Sequence, residues 1–299
     1  MRKLTLALFI IISSCSDGTK TLPSSTGVLS EVIFVVDDDL WEDYVKEIVG
    51  KTFGAPLQGL VQNESSFRVV QVSHTEFKSI LKTHKNIITI AKGVQASNQK
   101  NKWANGQLVV QLNYEHNKED NLKKDLNKVK AIFEWRELKS LRKGISKLSH
   151  HSSEDNILKN FKVEVLIPSE YKILKDTSTL LWATYNPDKE EMIKQLLVFS
   201  FIPKSNNLQQ EVLHKTDSIF AQYLKGAKQG QHVKIETDFP PYFNDNIYKG
   251  IWKLENGFMG GPFLIKTYFV DDKIVVSTGL IFDPNSRKRK YIKILEAIL

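Results

Sequence analysis

Asp37, Asp38 and Asp39 stand in a row directly behind the apolar run Glu31-Val32-Ile33-Phe34-Val35-Val36. Clustered carboxylates could ligate Mg²⁺ or Ca²⁺ through hard oxygens, and the carboxyl end of a strand is where α/β proteins commonly place ligands. A plainer role competes. Asp39 and Glu42 have the spacing of a capping box, which satisfies unpaired N–H groups at a helix start, so capping is the favoured reading and the three aspartates are kept as secondary candidates. His74, His84, His116, His150, His151, His214 and His232 show no spacing that would gather a zinc ion. Serine chemistry finds no Gly-x-Ser-x-Gly elbow, and Ser79 with Lys82 matches Ser-x-x-Lys without its companion motifs. No catalytic residue, metal ligand or cofactor is assigned.

Cys15 is the only cysteine, and its chemistry is of another kind. Arg2 and Lys3 precede the apolar run 4–12, and Ile12-Ser13-Ser14-Cys15 has an aliphatic residue and two small ones before the thiol. This is the layout of a leader peptide ending in a lipobox. The run is too short to span a bilayer, which takes roughly 20 apolar residues. A thiolate is a strong nucleophile, able to take a diacylglyceryl group as a thioether, and two or more acyl chains give a lasting anchor. Residues 1–14 are therefore expected to be a signal peptide, and residues 15–27 a lipidated, palmitate-bearing cysteine followed by a flexible polar tether.

One further segment is distinctive: Asn256-Gly257-Phe258-Met259-Gly260-Gly261-Pro262-Phe263. Two glycines before a proline are turn chemistry, whereas a phosphate-binding loop would need a lysine and a helix start at set spacing. Trp252, Phe258, Gly260, Gly261 and Pro262 are thus candidates for a structural turn or for a binding edge.

The elements that must position these residues follow from periodicity. Strands are expected at 31–36, 67–72, 87–91 and 107–112. Helices are expected around Trp41, Tyr44, Ile48 and Val49, at 75–82, and along 118–148, where Leu122, Leu126, Val129, Ile132 and Phe133 begin an apolar stripe. His150 to Asp155 is polar and aperiodic, and it marks a boundary between an N-terminal half, 28–150, and a C-terminal half, 151–299. Beyond it strands are expected at 162–167, 180–185, 195–202, 233–237, 247–254, 263–270 and 274–282, with helices at 208–224 and 286–299. Asp271-Asp272 fits a hairpin turn. The fold class is α+β, an α/β sandwich: alternating strands and helices first, then a mainly antiparallel sheet with helices packed on it.

Composition agrees with a packed globular chain, at 41% hydrophobic and 25% charged residues over 299. One cysteine excludes an intrachain disulfide. The formal charge of +8, spread over scattered lysines, suits weak attraction to anionic lipid headgroups or glycans, while an envelope address argues against nucleic acid.

Two resemblances add to this. The order of elements in the C-terminal half, with a strand-Pro-x-x-Tyr corner at 161–171, is similar to the PsbP-like α/β/α sandwich. The lipobox, Asp37 to Glu42, Phe53-Gly54-Ala55-Pro56-Leu57, Gly250-Ile251-Trp252, Met259-Gly260-Gly261-Pro262-Phe263 and the closing 289–299 segment resemble a Bacteroidota lipoprotein family, the domain of unknown function DUF4837. The resemblance implies a cell-envelope lipoprotein and supplies no reaction, cofactor or active-site residue. The expectation is a binding or assembly module, membrane-anchored through acylated Cys15, on the outer membrane facing the periplasm, with an envelope protein or glycan as partner. A periplasmic hydrolase or glycan-modifying enzyme, using carboxylates such as Asp37, Asp38 and Glu42 that meet only in the fold, is the alternative.

Overall fold

The structure, a computed structural model, describes residues 21–299; the leader and Cys15 lie outside the described residues. The described residues run through β1 (Glu31–Val35), a helix entered at α1 (Asp38–Leu40), loosened to π geometry over Trp41–Val45 and completed as α2 (Lys46–Thr52), then β2 (Arg68–Val72), a 3-10 turn at Ser79–Thr83, β3 (Asn86–Lys92), β4 (Ser97–Lys100), β5 (Leu108–Tyr114) and the long helix α3 (Glu119–Ile145). Its strands form one sheet in the order β2-β1-β3-β5-β4, parallel except for β4. Parallel strands are covered on both faces, and Val32 to Val36 and Ile87 to Ile90 are accordingly runs of mostly buried residues. One face packs under α2 and α3 through Phe34, Phe53, Phe67 and Phe133; the other is closed by Phe77, Leu81 and Trp103.

α4 (His151–Phe161) leads into the second sheet: β6 (Lys172–Asp176), β7 (Leu180–Tyr185), β8 (Ile193–Phe201), helix α5 (Leu208–Tyr223), β9 (Val233–Ile235), β10 (Tyr242–Asn244), β11 (Ile247–Leu254), β12 (Gly260–Val270), β13 (Lys273–Phe282) and the helix α6 (Arg289–Ile298). The order is β10-β11-β12-β13-β8-β7-β6, all antiparallel, with β9 also on β11. α4 and α6 pack on one face, and α5 on the other. The α+β architecture is thus the expected one. Asp271 takes φ +54° in the β12–β13 turn, at the expected hairpin.

Several local expectations are corrected. His150 to Asp155, expected to be aperiodic, is mostly helix: His151 opens α4, with Ile157 and Phe161 buried beneath it. Residues 162–167 form no strand, although Val163, Val165 and Ile167 are buried; the segment bonds instead to the end of α6, Leu166 N donating to Ile298 O at 2.9 Å. Alternation reports extended chain with one face inward, not a ladder partner. The helix expected at 75–82 is the 3-10 turn. The N-terminal tether is already fastened before Gly27: Asn105 N donates to Pro23 O at 2.7 Å, Asn105 Nδ2 to Leu22 O at 2.8 Å, and Ser25 N to Asn105 O at 2.9 Å.

Candidate functional site

The buried stripe of α3 runs Leu122, Leu126, Val129, Phe133 and then Glu137, a carboxylate on the helical period where the core calls for an apolar side chain. It meets the amino ends of β1 and β3. Glu137 Oε1 and Oε2 accept Ser30 N at 3.0 and 3.1 Å, Oε2 accepts Ser30 Oγ at 3.1 Å, and Oε1 accepts Asn86 Nδ2 at 3.1 Å. Lys85 Nζ stands 3.9 Å away; burial holds its ammonium below the ordinary lysine value, against the opposing pull of Glu137 and Glu31. The neighbouring Glu31 carboxylate takes His84 Nε2 at 3.0 Å and Arg68 at 3.3 Å.

Above this floor opens a cleft of about 630 Å³ between α3 and the loops that enter β1, β3 and β5. Five cations line it, Lys85, Lys100, Arg136, Lys139 and Lys143, against the single carboxylate of Glu137. Arg136 is fixed by donating to Gly106 O at 2.9 Å. Lys100, Lys139 and Lys143 are exposed and form no ion pair among the described residues. Trp135 completes the wall, 61% exposed, with Lys139 Nζ 4.9 Å from its ring centroid. Unpaired charge of one sign over a low-dielectric wall concentrates anions, and an exposed indole beside cations suits a ligand with both charge and apolar surface.

A second cavity, about 490 Å³, lies where α3 meets α6 and β11. Its cations are already matched: Lys293 lies 3.5 Å from Glu134 and 3.3 Å from Glu296, Lys249 is 2.6 Å from Glu296, and Lys130 donates to Thr52 O at 3.1 Å. Burial works to raise the Glu296 carboxyl, but Lys293 and Lys249 outweigh it and hold it below the ordinary glutamate value. This seam joins the halves rather than offering free charge.

The carboxylates singled out in the sequence are dispersed into separate contacts. Asp37 precedes α1 without a side-chain cap; its Oδ1 lies 2.9 Å from His74 Nδ1 and accepts His74 N at 3.3 Å. The His74 hydrogen bonds lower its pKa. Asp38 accepts Gln71 Nε2 at 2.9 Å, and Glu42 pairs with Lys46 at 2.7 Å. Asp39 lies inside the first turn, not at the cap, so the expected Asp39–Glu42 box does not form. Neither cavity above is lined by Asp37, Asp38, Asp39 or Glu42, and no three His, Cys, Asp or Glu side chains gather as a metal site among the described residues.

In the other motif, β11 alternates so that Tyr248, Trp252 and Leu254 point inward. Trp252 is buried and donates from Nε1 to Ile281 O at 3.2 Å. The turn falls at 255–259 with Asn256 at φ +55°, and Gly260, Gly261 and Pro262 are the first residues of β12 rather than the turn itself. A Cβ on Gly261 would stand 2.0 Å from Ile281 O and 3.3 Å from the Trp252 indole nitrogen. Phe258 projects fully exposed from the tip. Sequence reasoning did not single out the basic cleft. Its residues come from four distant segments, and the only local trace is the spacing of Trp135, Lys139 and Lys143, which share one helix face.

No curated protein matches the chain. The solved human StarD13 (DLC2) lipid transfer and protein localization domain overlaps 51% of this chain and 98% of its own at 8% identity, with a TM-score of 0.23, too loose to carry an argument. Two family profiles, each a domain of unknown function, match side by side: DUF8532 over residues 25–146 and DUF4837 over residues 150–299. With half of the 299 residues matched by the latter, the chain belongs to the DUF4837 family.

Proposed function

We propose that this chain is a lipid-anchored binding module of the cell envelope, held by acylated Cys15 to the outer membrane on its periplasmic side, and that it takes an anionic envelope component in the α3 cleft. The observation that carries the reading is the convergence of five cations and one exposed tryptophan on that cleft. The leader and lipobox support the address, and the dispersal of Asp37, Asp38 and Glu42 supports binding over hydrolysis. The absence, among the described residues, of a helix long and apolar enough to cross a membrane is compatible with an anchor of this kind.

Two measurements test it. Fractionation of cells carrying Cys15→Ser should move the protein out of the membrane pellet; unchanged processing and partitioning would refute the anchor. Titration of the detergent-solubilised full chain with polyphosphate, followed by tryptophan fluorescence, should saturate and weaken with rising salt. The Lys139→Glu, Lys143→Glu double variant should bind at least tenfold more weakly, on the order of the charge removed. Equal binding by the double variant would place the anion elsewhere.

A further inference from the structure

We infer that the cleft face lies against the anionic surface of the membrane that holds the anchor, so that lipid headgroups are the ligand of the cleft. This deepens the reading of a lipid-anchored anion binder and rests on it. The first support is where the chain joins the body. Asn105 grips Leu22, Pro23 and Ser25 through three hydrogen bonds, and Ser25 and the adjacent Gly106 are themselves part of the cleft wall. The tether therefore enters at the rim of the cleft.

Length supplies the second support. Leu22 is seven residue steps from Cys15, and at about 3.3–3.6 Å each they reach at most about 25 Å, whatever their conformation. A compact body of this size has a radius of gyration of about 19 Å, hence a width of about 50 Å. A tether half as long as the body is wide keeps its rim near the bilayer and holds the far side away. Charge and side-chain type agree with that orientation. Lys100, Lys139 and Lys143 are free to meet phosphates, while Trp135, with Ile132 three residues before it on the same helix face and 46% exposed, forms an amphipathic edge of the kind that settles at headgroup depth.

The test uses the lipidated full chain reconstituted into vesicles whose acyl chains are brominated and quench nearby indoles. Vesicles of equal parts phosphatidylglycerol and phosphatidylcholine should quench more than pure phosphatidylcholine. High salt should abolish the difference, as should Trp135→Phe or the Lys139→Glu, Lys143→Glu pair, with surface contact weakening roughly fivefold per cation removed. Circular dichroism of each variant verifies the fold. Quenching that is equal in both vesicle types, or that survives Trp135→Phe, would overturn the orientation. The two levels separate cleanly. A chain that saturates with polyphosphate in solution yet shows no anionic-vesicle quenching leaves the anion binder standing and removes only this inference, whereas a Cys15→Ser chain that stays equally well with pure phosphatidylcholine vesicles, which offer the cleft no net negative charge, removes the anchor on which the inference rests.

Discussion

Glu137 shows how a single residue can define a site while holding a fold together. Its carboxylate closes the amino ends of two parallel strands, where it accepts the buried Ser30 N–H and the Asn86 side-chain amide. Removing the acceptor strands those donors, and buried unpaired donors cost about 1–3 kcal/mol each. Glu137→Ala should therefore lower the unfolding free energy by about 3 kcal/mol in urea denaturation, with Glu137→Gln costing less because one acceptor remains. Glu296 makes a pH-dependent contribution. Its carboxyl is held below the ordinary 4.5 by Lys293 and Lys249 despite burial, so the stabilisation is complete above that value and is lost as pH falls through the lower folded value. Glu296→Gln should flatten the acid limb of stability against pH below about 4.5, read by denaturation at a series of pH values. Glu137 was not legible in the sequence because a carboxylate on a helix reads as solvated surface. Only the aligned ends of two strands, distant in sequence, make its site a place for charge.

Among the elements, β11 and β12 show what glycine does in a strand. Gly260-Gly261-Pro262 has the composition of a turn or a binding edge, and the same residues also mark a close backbone approach. Here the approach is real: Gly261 leaves room for the Trp252 indole to reach Ile281 O. Pro262 falls just before the β13 ladder begins at Phe263, a sheet margin where its missing N–H is tolerated. Gly261→Ala would press a methyl against a backbone carbonyl, and a backbone shift of that kind costs about 1–3 kcal/mol. The variant should melt several degrees lower in a calorimetric scan, and a melting point equal to wild type would refute the packing argument. Elements with an apolar signature were legible, β11 to the residue, while β4, the fully exposed Ser-Asn-Gln-Lys of Ser97–Lys100, carries no pattern to read. At 162–167 the pattern was sound and the partner was not, since alternation names a buried face and leaves open what pairs with the edge.

At the scale of the whole molecule, a mostly parallel sheet and an antiparallel one are joined along a seam of α3 against α6, where Arg142 donates to Ala297 O at 2.9 Å and buried Lys293 bridges Glu134 and Glu296. The overall charge of +8 said nothing about distribution; the fold gathers unpaired lysines beside the point where the chain enters the body. Two lysine clusters of similar size thus have different fates. Those of the seam are consumed by carboxylates and carbonyls, whereas in the cleft only Lys85 faces a carboxylate and Lys100, Lys139 and Lys143 form no ion pair among the described residues. Lysine labelling of the full chain with an amine-reactive reagent, followed by peptide mass spectrometry with and without polyphosphate, tests the anion-binding role of the cleft most directly. Lys100, Lys139 and Lys143 should label readily alone and become protected when polyphosphate is added, while the exposed Lys228 and Lys273 of the other half stay unchanged. Uniform protection of all five, or protection of Lys228 and Lys273 alone, would contradict the account.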